Sequence, residues 1–348
     1  MPAIVTLTMN PAVDISTTAE RVRTTDKVRC GEPCYDPGGG GINVARIVRV
    51  LGETVVAVFP VGSATGAVLG ALLDREGVWN RRVPIAGATR ESFTVDERSS
   101  GEQYRFVLPG PHLSRVEQEQ CLSSFAEVAR DARYVVASGS LPPGTSPDFY
   151  DRVAATARDV GARCLLDTSG ESLRHSTSGV YLLKPSIREL RELSGRSLGQ
   201  ESEQIAAARG LVTAGRCEVV IVSLGARGAL MVTQSTATRF PAIPVAVRSG
   251  VGAGDAMLAG IAVGLVRNRS LHDAVRLGIA AGAAMLTTPG TRACRREDIE
   301  AFYEGGAGVF VDREPVDCEP VDCEPVDRDP VEPGPAESGA DDGESLRY

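Results

Sequence analysis

The sequence has no apolar run that reaches the roughly 18 to 20 residues of a membrane-spanning helix, and no basic-then-apolar secretion signal at its start. We therefore expect a cytoplasmic protein without membrane contacts. The 3 histidines are isolated and none is assigned chemistry. None of the 8 cysteines forms a C-x-x-C pair. Because the close pair Cys30 and Cys34 has no partner group at zinc spacing, we expect free thiols.

Excess positive charge is also absent. The formal net charge is −8, but residues 311–348, here called the acidic tail, carry 13 Asp and Glu against 3 Arg, which leaves a net charge of +2 on the other residues. Without a basic patch, the sequence does not predict binding to nucleic acid or to a membrane surface.

The acidic tail has low complexity. E-P-V-D-C occurs at 314–318 and 319–323, and E-P-V-D-R follows at 324–328. Proline at every fifth position and dense carboxylates prevent a packed core, so we predict that 311–348 is disordered. The apolar fraction of 43% is normal for a globular protein, and residues 1–310 are long enough to form the folded domain.

Most of the chain has an α/β pattern. Short aliphatic runs are predicted as strands at 4–9, 54–60, 134–138, 164–167, 180–183 and 218–223, and from residue 114 onward they are mostly separated by helical stretches. This alternation predicts a mostly parallel sheet with helices on both faces and ligands at the carboxyl ends of its strands. Polar or glycine-rich clusters follow those strands at Ser138-Gly139, Asp167, Lys184, 223–228 and 250–255. Together they predict a single site at that edge.

A second, smaller sheet is predicted in the first third of the chain. Three segments look like strands without intervening helices: 27–35, 90–97 and 102–109, the last two joined as a hairpin through 98–101. We predict that they form a β lid from about 11–35 and 88–108. Alternation places Lys27 and Arg29 on the same face.

The most informative segment is R-S-G-V-G-A-G-D at 248–255. A β-rich run at 242–247 leads into it, and an apolar helical pattern follows. Glycines let a ligand approach the backbone, and the N–H groups and dipole of a helix start favour an anion. Asp255 falls in the first helical turn, where a carboxylate beside an anion site fits proton abstraction during phosphoryl transfer. The alternative is that Asp255 only caps the helix.

A second glycine loop, D-P-G-G-G-G-I-N at 36–43, precedes another helical pattern with Asn43 in its first turn. Neither glycine loop is followed by G-K-[S/T], and neither has the G-x-G-x-x-G register. A Walker phosphate loop and a dinucleotide site are therefore not favoured.

In combination these motifs resemble the PfkB/ribokinase family of carbohydrate kinases, and within it the kinases of phosphosugars. The resemblance follows the family's order and spacing to about residue 303. Its segments are T-L-T-M-N-P-A-V-D (6–14), K-V-R-C (27–30), P-G-G-G-G-I-N-V-A-R (37–46), T-R-E-S-F (89–93), G-E-Q-Y-R-F-V-L-P-G (101–110), S-G-S-L-P-P-G (138–144), V-S-L-G-A-R-G-A (222–229), V-G-A-G-D-A-M (251–257) and P-G-T-R (289–292). It implies a ribokinase-like αβα sandwich with a β lid, and a homodimer formed through that lid.

The resemblance also implies residue roles. Asp255 would be the general base, and the amides of Gly252, Ala253 and Gly254 the anion hole. The sugar phosphate would be bound by Asp14, Lys27, Arg29, Gly39, Gly40, Asn43, Arg90, Arg105, Ser138 and Gly139. Of these, Arg90 would meet the phosphate, and Lys27 and Arg29 would come from the neighbouring subunit. The nucleotide side would be lined by Lys184, Ser186, Ser223, Gly225, Ala226, Gly228 and Ala283.

The implied reaction is ATP-dependent phosphorylation of fructose 6-phosphate at its C1 hydroxyl, a step of carbohydrate metabolism. Tagatose 6-phosphate and fructose 1-phosphate stay open as substrates, and a non-catalytic sugar-phosphate-binding regulator is a further alternative. The implied cofactors are ATP, Mg²⁺ and K⁺. Glu189 would hold Mg²⁺ through water, and a monovalent cation would be bound by Ser249, Val251, Thr288 and Gly290.

One segment departs from the family's pattern. Where the family commonly has K-P-N-x-x-E, this chain has K-P-S-I-R-E at 184–189. Ser186 is shorter than asparagine and lacks its amide. We therefore expect altered handling of magnesium and nucleotide rather than loss of function.

Overall fold

The computed structural model describes residues 2–176 and 178–305, so the prediction of disorder in the acidic tail lies outside the described residues. The strands within these ranges are β1 (Ile4–Leu7), β2 (Ala12–Ala19), β3 (Cys34–Gly38), β4 (Val55–Val61), β5 (Trp79–Pro84), β6 (Arg90–Glu97), β7 (Gln103–Val107), β8 (Tyr134–Ser138), β9 (Arg163–Asp167), β10 (Val180–Leu183), β11 (Cys217–Ser223), β12 (Ala229–Val232) and β13 (Ala237–Phe240). The helices are α1 (Gly40–Val50), α2 (Ser63–Arg75), α3 (Arg115–Ala129), α4 (Phe149–Asp159), α5 (Gly170–His175), α6 (Ile187–Ser194), α7 (Glu201–Thr213), α8 (Ala253–Val266), α9 (Leu271–Leu286) and α10 (Arg296–Tyr303).

The large sheet is mostly parallel, as the sequence predicts. Its strand order is β13-β12-β11-β10-β9-β8-β1-β4-β5. The strands from β11 to β5 pair in parallel, and β12 and β13 are added antiparallel at one edge. All the parallel strands therefore end at the same edge, where the predicted site clusters lie.

Helices cover both faces of the large sheet, because successive side chains of each buried strand point to opposite faces. On one face, Ile4 and Val136 pack into a core with α1, α2, α8, α9 and α10. Their sequence neighbours Val5 and Val135 pack into a second core, on the opposite face, with α3 to α7. Burial of aliphatic side chains on both faces stabilises the αβα sandwich.

Helices α8 and α9 pack with close backbone contact. A methyl group on Gly260 would lie 2.7 Å from the Gly278 Cα, and one on Gly264 would lie 2.6 Å from the Ala274 Cα. Small residues at these positions therefore set the spacing of the two helices. The spacing matters for function because α8 begins at the predicted anion hole.

The small sheet has the order β3-β2-β6-β7. The predicted hairpin is confirmed, with β6 and β7 antiparallel. The predicted strand at 27–35 is wrong, since regular pairing there begins at Cys34 and continues to Gly38, and Lys27 and Arg29 are exposed in an irregular segment. The strand that pairs with both β3 and β6 is β2, which sequence reasoning did not identify as a strand.

Two further predictions need correction. The run 242–247 has no regular structure, so the chain enters the 250–255 turn from a loop rather than from a strand. Cys34 is disulfide-bonded, contrary to the expected free thiol. The free cysteines within the described ranges are Cys30, Cys121, Cys164, Cys217 and Cys294.

No helix in the described part of the chain is long and apolar enough to cross a membrane.

Candidate active site

Asp255 lies in the first turn of α8, directly after the glycine turn. Helix α8 begins at Ala253, directly after Gly252, whose φ of 75° is in the left-handed region that glycine adopts readily. No side chain caps this helix start, so no capping side chain accepts a hydrogen bond from the backbone N–H groups of the first turn. The Asp255 oxygens instead accept hydrogen bonds from outside the helix: Oδ2 from Asn43 Nδ2 at 3.0 Å, and Oδ1 from Ser138 Oγ at 3.1 Å. Asp255 therefore does not act as a helix cap.

The surroundings of Asp255 suit a base. Burial raises its pKa to about 6, and the nearby carboxylate of Asp167 also raises it, while the bonds from Asn43 and Ser138 and the charge of Lys184 lower it. A pKa of this size leaves the carboxylate ionised at neutral pH and close in basicity to what proton abstraction requires.

A buried ion pair lies beside the glycine turn. Lys184 Nζ and Asp167 Oδ2 are 2.6 Å apart, and the Lys184 side chain is only 4% exposed. A methyl group on Gly254 would lie 3.3 Å from Lys184 Nζ, so the ammonium borders the predicted anion hole. Burial lowers the pKa of Lys184, but Asp167 raises it further and the net direction is upward, so the ammonium stays charged. The sequence offered a signal for this pair, because Asp167 ends one predicted strand and Lys184 directly follows the next.

The second glycine loop packs directly against the end of β8. Gly39 precedes α1 with a φ of 114°, and a methyl group on Gly40 would lie 2.3 Å from Ser138 Oγ. The Gly139 carbonyl is fixed by hydrogen bonds from Tyr150 Oη at 2.8 Å and Thr168 Oγ1 at 3.0 Å. This contact brings together the predicted sugar residues of both segments and places Asn43 at Asp255.

The small sheet contributes a charged pair. Burial raises the pKa of Asp14 on β2 to about 6, against the opposing effect of the Arg90 charge. The Arg90 guanidinium on β6 donates to the carbonyl oxygens of Asn10 at 3.1 Å and Leu108 at 3.2 Å. Arg105 on β7 is exposed and close enough to Asp14 to lower its pKa as well. Asp14, Arg90 and Arg105 are thus brought together as expected.

Lys27 and Arg29 are not brought to this cluster. Both side chains are exposed, and neither forms a hydrogen bond or an ion pair with the described residues of its own chain. Within one chain the structure therefore leaves them outside the site.

The predicted nucleotide residues lie around the ends of β10 and β11. Ser186 and Ser223 form an isolated parallel bridge, and the Ser223 N–H donates to the Pro185 carbonyl at 2.9 Å. A short 3₁₀ turn holds Gly225 and Ala226, Gly228 follows it with a φ of 87°, and Ala283 is buried in α9.

Ser186 and Glu189 form a capping box at the start of α6. The Glu189 N–H donates to Ser186 Oγ at 3.3 Å, and Glu189 Oε2 accepts from the Ser186 N–H at 2.7 Å and from its hydroxyl at 2.8 Å. One carboxylate oxygen of Glu189 is therefore occupied by the helix start. The sequence contains this S-x-x-E signature, but it was not recognised as a cap.

The residues predicted to hold cations are compatible with those ions. Oxygen ligands suit Mg²⁺, which keeps most of its waters. Glu189 Oε1 lies 4.0 Å from Arg188 and accepts neither of the hydrogen bonds from Ser186, which both go to Oε2. For the monovalent cation, the segments of Ser249 and Thr288 adjoin, because the Ser249 N–H lies 3.4 Å from the Leu286 carbonyl. Gly290, with a φ of 64°, follows in the same turn.

Comparison with known proteins gives consistent results. The profile of the pfkB family of carbohydrate kinases matches residues 7–298. The ATP-dependent 6-phosphofructokinase isozyme 2 of Mycobacterium tuberculosis is 59% identical over 303 residues, covering 87% of this chain and 89% of that protein.

Solved structures of phosphofructokinase-2 from Escherichia coli are also similar. The complex with potassium has a TM-score of 0.82 at 38% identity and covers 88% of this chain and 100% of that one. The complex with fructose-6-phosphate has a TM-score of 0.80 at 37% identity, with the same coverage. A tetrameric inhibited form has a TM-score of 0.82 at 38% identity, again with that coverage.

Proposed function

This chain belongs to the pfkB family of carbohydrate kinases, and we propose that it transfers the γ-phosphoryl group of ATP to the C1 hydroxyl of fructose 6-phosphate, forming fructose 1,6-bisphosphate. The observation that carries the proposal is the position of Asp255. It lies at the glycine turn that opens α8, and Asn43 and Ser138 from two other segments bond both of its oxygens. The similar M. tuberculosis and E. coli proteins bear the phosphofructokinase name.

In this mechanism Asp255 accepts the proton of the sugar hydroxyl as that oxygen attacks the γ-phosphorus. The N–H groups of Gly252, Ala253 and Gly254 stabilise the charge on the transferring phosphoryl group, because they are preorganised at the helix start. Lys184 adds a fixed positive charge at Gly254. Ser223 and the 225–228 turn line the nucleotide side, with Ser186 and Ala283.

Arg90 binds the 6-phosphate, and Arg105 adds positive charge nearby. Among the described residues the Arg90 guanidinium donates only to carbonyl and hydroxyl oxygens, so a substrate phosphate would supply a charged and stronger acceptor. Asp14, Gly39, Gly40, Asn43 and the Ser138-Gly139 peptide hold the sugar hydroxyls. Lys27 and Arg29, exposed in their own chain, reach the phosphate of a partner subunit.

That arrangement requires an oligomer formed through the small sheet. Tyr35, Ile15, Phe93 and Phe106 are paired in a row across β3, β2, β6 and β7. Phe106 is 53% exposed and Phe93 37%, and an apolar row of this kind favours burial against a second copy. Phe106→Asp should therefore dissociate the homodimer in sedimentation and raise KM for fructose 6-phosphate. A dissociated variant with unchanged KM would remove the partner's Lys27 and Arg29 from the site.

The proposed cofactors besides ATP itself are Mg²⁺ and K⁺. Mg²⁺ would accompany the ATP phosphates and be held through water by Glu189, where it neutralises phosphate charge. K⁺ would be bound by oxygens of Ser249, Val251, Thr288 and Gly290 and would brace the glycine turn. Turnover should then rise when Na⁺ is replaced by K⁺, and equal rates at matched ionic strength would contradict this site.

A substrate panel tests the proposal directly. ADP formation from ATP is measured with fructose 6-phosphate, tagatose 6-phosphate, fructose 1-phosphate and free fructose, and the product is identified by ³¹P NMR. The highest kcat/KM is expected with fructose 6-phosphate. Preference for either other phosphosugar would reassign the substrate. Binding of fructose 6-phosphate without ADP formation would support a non-catalytic regulator.

A further inference from the structure

We infer that Thr291 is a positioning residue for sugar binding: its hydroxyl holds Asp36 so that the neighbouring Asp14 carboxylate stays available for the substrate. The inference rests on the proposed function, in which Asp14 contacts the sugar. The residues that carry it, Asp36, Arg46 and Thr291, are not among those assigned to substrate, nucleotide or cation above.

Asp14 and Asp36 are directly opposite each other on β2 and β3. Side chains of such a pair lie on the same face of the sheet and are close enough for two like charges to repel. The Asp36 charge is indeed one of the factors that raise the Asp14 pKa, after burial. An unrestrained Asp36 would therefore compete with Asp14 for any cation or hydroxyl at this position.

Both carboxylate oxygens of Asp36 are bound by residues other than Asp14. Thr291 Oγ1 donates to Asp36 Oδ2 at 2.9 Å, and Arg46 Nη2 lies 3.4 Å from Asp36 Oδ1. Asp36 is 8% exposed and Thr291 4%. Asp14, in contrast, receives no side-chain hydrogen bond from any described residue. Of the two facing carboxylates, one is saturated by the protein and the other is left for a ligand.

Thr291 is held in place by its surroundings. Arg46 Nη1 donates to the Thr291 carbonyl at 2.8 Å, and the same guanidinium bonds Glu76 at 2.7 and 2.6 Å. A methyl group on Gly290 would lie 3.1 Å from Ser16 Oγ on β2. The segment that follows α9 thus contacts both β2 and β3, and it connects the α8–α9 pair with the small sheet.

Loss of the Thr291 hydroxyl would leave a buried carboxylate oxygen without its donor. The carboxylate would then turn toward another donor, and this movement alters the electrostatic field at Asp14. Thr291 lies beside the small sheet, whereas all the nucleotide residues except Ala283 lie around the ends of β10 and β11, so the effect is expected on the sugar side. Thr291→Val should raise KM for fructose 6-phosphate about tenfold, the order of one hydrogen bond to a charged group, while kcat and KM for ATP stay within about twofold.

The experiment compares Thr291→Val with Thr291→Ser, which keeps the hydroxyl and should restore wild-type KM. Thr287→Val is the matched control, because the Thr287 hydroxyl bonds only the Ala284 carbonyl of its own helix at 2.8 Å among the described residues. Melting temperatures and the affinity for fructose 6-phosphate by calorimetry are measured for each. If Thr291→Val does not fold, Thr291→Ala is compared with Thr291→Ser in its place.

The inference is overturned if the valine and serine variants have the same KM, or if the valine variant loses only thermal stability or affinity for both substrates equally. If the wild-type protein still phosphorylates fructose 6-phosphate, the proposed function stands and only the role of Thr291 is rejected. A wild-type protein that neither phosphorylates nor binds fructose 6-phosphate overturns both.

Discussion

Asn43 donates a hydrogen bond of 3.0 Å to Asp255, although the two residues are 212 positions apart in the chain. The bond joins the starts of α1 and α8, the two helices that follow the glycine loops. It favours the ionised carboxylate and so opposes the effect of burial on the Asp255 pKa. One amide thereby links the sugar side of the site to its base.

Asn43→Ala should move the acid limb of the kcat profile to higher pH. Loss of the bond raises the Asp255 pKa above its value of about 6, so a larger fraction of the base is protonated at neutral pH. The measurement is kcat at saturating fructose 6-phosphate and MgATP between pH 5 and 8. Ser138→Ala, which removes the bond to the other oxygen, should shift the limb in the same direction. An unchanged limb in both variants would contradict the assigned base.

The glycine motifs could be predicted from the sequence because each combines a turn residue with a helix start over a few positions. The parallel strands β1, β4, β8, β9, β10 and β11 were also predicted, since their aliphatic runs are short and continuous, but β5, β12 and β13 at the two edges of the large sheet were not. Asp167 and Lys184 were both placed in the site at the same sheet edge, but their ion pair was not predicted. An ion pair between side chains on neighbouring strands depends on the order and register of those strands, which a single sequence does not determine.

Arg90→Ala should raise KM for fructose 6-phosphate by the roughly 1.5–3 kcal/mol of a charged hydrogen bond, or about 10- to 150-fold, with little change in KM for ATP. The reason is that the Arg90 guanidinium lies in the small sheet next to Asp14 and away from the nucleotide residues. Steady-state kinetics with both substrates gives the two constants, and residual activity with free fructose serves as the control. Equal weakening of fructose and fructose 6-phosphate would mean that Arg90 is structural.

Ser186→Asn should change the Mg²⁺ dependence of turnover. In the present chain the Ser186 hydroxyl lies 2.8 Å from Glu189 Oε2 and ties that oxygen to the start of α6. Asparagine is also a good N-cap, so α6 should remain stable, but its longer side chain places the polar group differently and changes the contact with Glu189 Oε2. We expect the half-saturating Mg²⁺ concentration at fixed ATP to fall about threefold or more. If it is unchanged while Glu189→Gln raises it, then Ser186 has no part in magnesium handling.

The small sheet shows where a single sequence is least informative. The segment 27–35 has strand-like composition, yet apart from a single bridge at Cys30 only its last two residues belong to a strand. The adjacent β2 carries polar side chains and was not recognised. Edge pairing of β3 depends on the partner strand as much as on local preference. The run at 242–247 also has strand-like composition, but it follows β13 at the edge of the large sheet and pairs with no described strand.

We propose Asp255 as the general base of a fructose 6-phosphate kinase. The most direct test is single-turnover and steady-state kinetics of Asp255→Asn, with substrate affinities measured separately by calorimetry. Asparagine keeps the size of the side chain but cannot accept the proton, so kcat should fall by roughly 10²- to 10⁴-fold while both substrates still bind. An Asp255→Asn enzyme that keeps a kcat near that of the wild type would contradict the account.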